Sequence, residues 1–229
     1  MPPAPRACRR AAFTLFAEQL PRIESLDGLV FAALAISLHE QPRCDPKSVV
    51  RQLEALAARV RGRIRSSTAD AKLAHAHAVL FDEEQLRGNR VDYLDAKNSY
   101  LAHVLESKVG IPISLSLVYL YVLRRLELDV SGVNSPGHFL VRIEHDGKES
   151  FVDAFHGGTM HTRTEALAFL ALVRGKALDP ATALLPATHR QWLYRMLQNL
   201  KGSFRAASRQ QDHAAMLELE ALLHVVPQA

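Results

Sequence analysis

The chain has 229 residues, of which 48% are hydrophobic, so it is long enough for one good-sized domain with a helical appendage. The net charge of +4 is only mildly basic, and no zinc-ligand spacing or RNA-reading aromatic motif accompanies it, which argues against nucleic-acid binding. Cys8 and Cys44 are widely separated, which indicates a reducing compartment without disulfides. No run approaches the roughly 20 apolar residues of a membrane span. We expect a cytoplasmic protein that binds neither nucleic acid nor membrane.

The first part of the chain is predicted to be helical. Residues 1–24 are expected to form an N-terminal arm and a helix. A later helix begins at Asp45-Pro46, with the aspartate as its cap and the proline at its first position. His75 and His77 follow in another helix, where a spacing of two residues places them on different faces. They form no metal pair, and we predict neither a metal nor another cofactor.

A buried helix is predicted to begin at Gly110-Ile111-Pro112. Proline suits the first helical position because it has no N–H to satisfy. From Ile113 to Leu126 the residues are apolar on almost every side. A helix without a polar face is usually interior, so we expect the domain to be built around this one.

A β-hairpin should follow, with Asp146-Gly147 as its turn between the apolar runs HFLVRIEH and KESFVDAF. A two-residue loop sets His145 opposite Lys148. Counting outward, His138 and Asp153 become diagonal neighbours on one face, roughly 7–8 Å apart at the backbone. The pattern predicts an imidazole–carboxylate pair, an arrangement that orients a histidine for acid–base chemistry.

These motifs resemble the transglutaminase-like superfamily and, more narrowly, its bacterial SirB-type subfamily. The similar segments are NSYLAHVLESKVGIPISLSLVYL, PGHFLVR and FVDAFHGG. The resemblance covers about residues 25–225 and is strongest over 88–158. It implies an α+β fold with a papain-like/transglutaminase-like core, in which the buried helix packs against a small antiparallel sheet. It also implies Cys-His-Asp chemistry in active members.

The resemblance suggests a division of the chain into three segments. After the arm and helix of 1–24, residues 25–160 form the transglutaminase-like domain, with a helical part (25–109) followed by the core helix and hairpin (110–160). Residues 161–229 form a C-terminal helical segment whose last two helices, about 190–205 and 212–226, are similar to one tetratricopeptide unit. A single unit cannot bury its own apolar face. It should pack on the domain or bind a partner through Trp192, Leu193, Met196 and Leu200.

One position departs from the family pattern. In active members the nucleophilic cysteine lies two residues after the glycine that starts the buried helix, and here that position is Pro112. We therefore favour a non-catalytic binding or regulatory module that recruits a protein or peptide through the cleft of His138 and Asp153. The alternative is a serine-dependent hydrolase or acyltransferase with Ser114, His138 and Asp153. Its weakness is that Ser114 points roughly 200° around the helix from the cysteine position.

Other residues of the cleft are proposed from the resemblance and from nearby positions. Tyr93, Asn98 and Ser99 precede the buried helix, where transglutaminase-like folds line the cleft, although Asn98 could instead be a helix cap. Pro112 occupies the start of the helix. His156 is included because it follows Asp153 closely, while strand alternation alone would point it away. The oligomeric state is left open.

Overall fold

Helices form the N-terminal half of the structure, a computed structural model that describes residues 4–225. Residues 1–3 and 226–229, which belong to the predicted arm and C-terminal segment, lie outside the described residues. The helices are α1 (Arg10–Gln19), α2 (Leu26–Ser37), α3 (Pro46–Arg63), α4 (Ala69–His77), α5 (Leu101–Ser107), α6 (Pro112–Arg125), α7 (Arg163–Arg174), α8 (His189–Ala206) and α9 (Gln210–Val225). A π-helical turn, Ala78–Glu83, continues α4.

Local capping signals fix where several helices begin. The carboxylate of Asp45 accepts a hydrogen bond from the backbone N–H of Lys47 at 3.0 Å, and Pro46 is the first residue of α3, as predicted. At α7, Thr162 and Glu165 form a reciprocal capping box. Each cap satisfies backbone donors that an isolated helix end would leave unpaired.

Helix α6 is the buried helix that the sequence predicts. Every side chain from Pro112 to Leu123 is buried. The helix packs against α3 and against two strands of the main sheet, Asp129–Val133 and Leu140–His145. Its two tyrosine hydroxyls are satisfied by outside partners, His77 for Tyr119 and Glu54 for Tyr121, both at 2.7 Å. Because these polar groups are paired, the helix can lie in the interior without an unsatisfied hydroxyl on either ring.

The main sheet is antiparallel and lies beside α6. Its strands are β3 (Asp129–Val133), β4 (Leu140–His145), β5 (Lys148–Asp153), β6 (Thr159–His161) and β7 (Pro186–Ala187), in the order β6-β5-β4-β3-β7. His145 pairs with Lys148 across the hairpin, which confirms the predicted register. A separate parallel pair joins β1 (Arg87–Gly88) to β2 (Val109–Gly110) and ties the loop before α5 to the start of α6.

The two ends of the chain pack onto the same core as α6. Trp192, Leu193, Met196 and Leu200 of α8 are fully buried there, together with Phe16 of α1. The carboxylate of Glu218 in α9 accepts backbone N–H groups from Arg6, Ala7 and Cys8, and so holds the N-terminal segment. The three predicted segments therefore share one hydrophobic core. Within residues 4–225, no helix is both long and apolar enough to cross a membrane.

Substituting Gly132 tests how tightly β3 packs against α8. A Cβ at Gly132 would overlap the Trp192 ring and crowd Phe139, and both of these side chains are buried. Gly132→Ala should lower the free energy of unfolding by about 1–3 kcal/mol, because overpacking forces buried rings to move.

Gly202→Ala is the matched control, because Gly202 is exposed in α8 with open space around it. It should raise the free energy of unfolding by up to about 1 kcal/mol, through helix propensity alone. Urea denaturation of both variants measures the difference. Equal stabilities would contradict the tight contact between β3 and Trp192.

Candidate functional site

The predicted pair of His138 and Asp153 is present. His138 lies two residues before β4, after a turn in which Gly137 has φ +84° and the backbone N–H of His138 donates to Ser135 O. Asp153 is the last residue of β5 and is fully buried. Nε2 of His138 lies 2.8 Å from Oδ2 of Asp153, which is hydrogen-bond distance. The hairpin register inferred from the sequence therefore brings the two side chains together.

His156 joins the same carboxylate. After Asp153 the chain leaves the sheet in a 3₁₀ turn, Ala154–His156, which ends at Gly157 in the left-handed region. Oδ1 of Asp153 accepts the backbone N–H groups of Phe155 (3.0 Å) and His156 (3.2 Å). The ring Nδ1 of His156 lies 2.7 Å from Oδ2. Strand alternation wrongly points His156 away, because the strand ends before this residue.

Four hydrogen-bond donors, two from histidine rings and two from the backbone, surround the carboxylate of Asp153. Burial by itself raises the pKa of this carboxyl group, but the hydrogen bond and charge of His138, followed by those of His156, outweigh it and hold the pKa below its usual range. The carboxylate is therefore ionised at neutral pH and fixes the orientation of both rings. Nδ1 of His138 and Nε2 of His156 remain without a hydrogen bond to any residue of 4–225.

Aromatic rings surround the two histidines. Phe169 of α7 stands edge-on to both histidines, and its ring centroid lies 5.1 Å from that of His138 and 5.8 Å from that of His156. Phe155 also stands edge-on to His138, with 6.1 Å between the ring centroids. The ring of His161 stacks on Phe169 at 5.3 Å and makes no hydrogen bond to Asp153. His138 is 6% exposed and His156 34% exposed. Solvent therefore reaches the cluster from the side of His156.

Tyr93 and Arg195 lie next to this cluster. Tyr93 is 45% exposed, and its ring stands edge-on to Phe155 at 6.0 Å. Arg195 of α8 donates to Oδ1 of Asn134 at 3.2 Å and lies near Tyr93, while burial lowers the pKa of its guanidinium. It forms no ion pair with a carboxylate of residues 4–225. The sequence does not single out Arg195, because nothing near it in α8 indicates that its side chain reaches Asn134.

Asn98 and Ser99 are both buried. Asn98 Nδ2 donates to the carbonyl of Asp92 at 2.7 Å, and its Oδ1 accepts from Asn89 at 3.0 Å. The alternative that Asn98 caps the helix after it is wrong, because the N-cap of α5 is Tyr100 and no side chain caps that helix. Asn98 holds the preceding loop in place, and Ser99 is 2% exposed.

Ser114 and Pro112 lie in the first turn of α6. The Ser114 hydroxyl donates to the carbonyl of Asn98 at 2.6 Å and accepts the backbone N–H of Ile111 at 3.2 Å. It is fully buried and makes no hydrogen bond to His138. These contacts give Ser114 a role in anchoring the helix start. Pro112, the first residue of α6, is also buried.

Three of these residues could together hold a metal ion, which the sequence analysis did not anticipate. The ligand atoms of His138, Asp153 and His156 all lie within 4.8 Å of one another. Two imidazoles and one carboxylate are donors that first-row divalent metals accept. The sequence feature that accompanies this site is the short Asp153-x-x-His156 spacing. It brings the two side chains together only because residues 154–156 form a 3₁₀ turn.

Known proteins similar to this chain were found by comparison. A sequence model of the transglutaminase-like superfamily matches residues 47–198. A UPF0162 protein of Xylella fastidiosa (strain Temecula1) is 34% identical over 207 residues, which cover 87% of this chain and 72% of that protein. A UPF0162 protein of Pseudomonas aeruginosa is 25% identical over 219 residues, with coverages of 96% and 77%. Mouse F-box only protein 21 is 44% identical over 77 residues, covering 34% of this chain and 12% of that protein.

Asp153→Asn tests the carboxylate at the centre of the cluster. The variant should lose about 3 kcal/mol in the free energy of unfolding, since two histidines and two backbone donors lose a buried charged partner. Asp146→Asn in the exposed hairpin turn is the control, with an expected change within about 0.5 kcal/mol. Equal stabilities of the two variants in urea at pH 7 would contradict this account.

Wild type and Asp153→Asn should also differ in how their stability depends on pH. Because the native pKa of Asp153 is lowered, its contribution to stability is present above the unfolded value of about 3.9 and is lost as the pH falls through the native pKa. The stability difference between wild type and Asp153→Asn should therefore shrink below about pH 4. A difference that grows as the solution is acidified would contradict the lowered pKa.

Proposed function

The chain belongs to the transglutaminase-like superfamily, and we propose that it is a non-catalytic member whose cleft around His138 and Asp153 binds a protein or peptide segment. The observation that carries the proposal is Pro112. It occupies the position where the resemblance places the nucleophilic cysteine, and proline offers neither a thiol nor a hydroxyl. The oriented His138–Asp153 pair remains, so the site keeps its shape without a covalent reaction.

Within residues 4–225, neither Ser114 nor either cysteine is placed to supply the missing nucleophile. The hydroxyl of Ser114 is engaged with the backbone of Asn98 and Ile111. Cys8 is buried, and burial together with Glu218 raises the pKa of its thiol to about 12. Cys44 lines a different pocket, beside Glu40 and Glu106, and burial raises the pKa of its thiol as well. A protonated thiol away from the histidine pair is a poor nucleophile.

The surface next to the pair supports binding of an acidic segment. Tyr93 presents a partly exposed aromatic face beside Phe155, and such amphipathic rings are common at interaction sites. Arg195 places a guanidinium near Tyr93 without a carboxylate partner among the described residues. A partly buried cation without a counter-ion favours a ligand that supplies a carboxylate, from an acidic side chain or a chain terminus.

The C-terminal helices belong to the same proposal. The SirB-type motifs and the likeness of α8 and α9 to a tetratricopeptide unit support a role in recruiting a partner. Helix α8 supplies Arg195 to the cleft side, while Tyr194 of α8 and Leu217 of α9 are 40% and 45% exposed. Most of the apolar face of the pair is already buried in the core. The exposed remainder extends the surface for a partner beyond the cleft.

Selection of displayed peptides on the full-length chain tests the binding proposal. The selected peptides should share an acidic residue or a free C-terminal carboxylate. Arg195→Gln should weaken them by about tenfold or more, the size expected for losing a charged hydrogen bond. Arg174→Gln, at the exposed last residue of α7, is the matched control and should bind as wild type does. Failure to select peptides, or equal binding by Arg195→Gln, would contradict the proposal.

Turnover of an activated ester tests the loss of catalysis. Wild type should hydrolyse p-nitrophenyl acetate no faster than His138→Ala, with His161→Ala as a control for nonspecific catalysis by histidine. A fluorophosphonate probe should not label Ser114, because its hydroxyl is fully buried. Turnover by wild type that disappears in both His138→Ala and Ser114→Ala would establish the serine hydrolase instead.

A further inference from the structure

The geometry of His138, Asp153 and His156 points to a binding site for a divalent first-row transition metal of the zinc type. The site would use Nε2 of His138, Oδ2 of Asp153 and Nδ1 of His156 as ligands. The inference does not depend on the partner-binding proposal, because it concerns only what these three side chains hold. It rests on the short distances between the three ligand atoms, on their access to solvent and on the backbone donors that hold the Asp153 carboxylate.

The three ligand atoms all lie within 4.8 Å of one another, and Oδ2 of Asp153 is next to both nitrogens. Oδ2 of Asp153 lies 2.8 Å from Nε2 of His138 and 2.7 Å from Nδ1 of His156. Ligand atoms on a tetrahedral ion with bonds of about 2.0 Å are about 3.3 Å apart, so each ring must move outward by about 0.5 Å. His156 can make this movement most easily, because it lies on a partly exposed 3₁₀ turn.

The other atoms of the three side chains also fit a metal site. Oδ1 of Asp153 accepts two backbone N–H groups, which fix the carboxylate and leave Oδ2 for the ion. Coordination requires each imidazole to carry its proton on its second nitrogen, Nδ1 of His138 and Nε2 of His156. Neither atom has a competing hydrogen bond among residues 4–225, so moving each ring proton to that nitrogen breaks no other contact.

The surroundings provide both shielding and an entry path. Phe155 and Phe169 cover the cluster with aromatic edges, which limit water and strengthen binding of a charged ion. The exposed side of His156 leaves a route from solvent and an open coordination position. One carboxylate with two neutral imidazoles carries a single negative charge, which partly offsets a divalent cation.

Zinc titration of the untagged full-length chain tests the inference. Calorimetry should show about one ion bound per chain, and His156→Ala should weaken binding by at least about tenfold. His156→Ala is the main variant because it leaves the buried His138–Asp153 hydrogen bond in place and should fold. Asp153→Asn should abolish binding, and thermal melts establish which variants are folded.

Two control variants separate this site from other places where zinc could bind. His161→Ala removes a neighbouring ring that stacks on Phe169 outside the cluster, and Cys44→Ser removes the partly exposed thiol. Both should bind zinc as wild type does. Cobalt should give the visible absorption of a low-coordinate site in wild type and lose it in His156→Ala. Absence of binding, or binding unchanged in His156→Ala, would overturn the inference, whatever the peptide selection shows.

Discussion

The candidate site depends on the hydrogen bonds that the carboxylate of Asp153 accepts. This carboxylate lies at the end of β5, fully buried, and accepts hydrogen bonds from His138, from His156 and from two backbone N–H groups of the following turn. A buried charge is tolerable only when it is well paired, and here the pairing also determines where both rings point. This arrangement is present although position 112, where the resemblance places a nucleophile, is a proline. Partner binding and metal binding are two uses to which the same pre-oriented groups are suited.

The site is held in place by a core that spans the whole chain. Helix α6 packs against the sheet and the turn of His156, while Trp192 of α8 packs against Phe139 next to His138, at a ring distance of 4.4 Å. The N-terminal segment is bonded to Glu218 of α9. The two ends of the described chain are thus joined to each other, and α9 packs on α8. Because α8 also supplies Arg195, the C-terminal helices both stabilise the domain and contribute to the surface that we propose binds a partner.

The sequence predicts the features that local rules determine, and it does not predict those that depend on distant packing. The turn at Asp146-Gly147 fixes the hairpin register and brings His138 to Asp153, and the apolar run of α6 identifies the buried helix. His156 is predicted near Asp153, but strand alternation gives the wrong direction for its ring because a 3₁₀ turn replaces the strand there. Ser114 bonds to Asn98, which is 16 positions away in the sequence, and Arg195 bonds to Asn134, which is 61 positions away. The residue type at one position does not reveal such distant contacts.

The most direct test of the central claim is to return a thiol to the start of α6. The claim is that Pro112 occupies the nucleophile position of a cleft whose histidine pair is still oriented. In Pro112→Cys the introduced thiol should react with iodoacetamide faster than the two native cysteines, although position 112 is buried, because a helix N-terminus and the imidazole that the resemblance places beside this position lower a thiol pKa. That reactivity should fall in the Pro112→Cys, His138→Ala double variant. A folded Pro112→Cys protein whose new thiol is inert, or reacts independently of His138, would contradict the account.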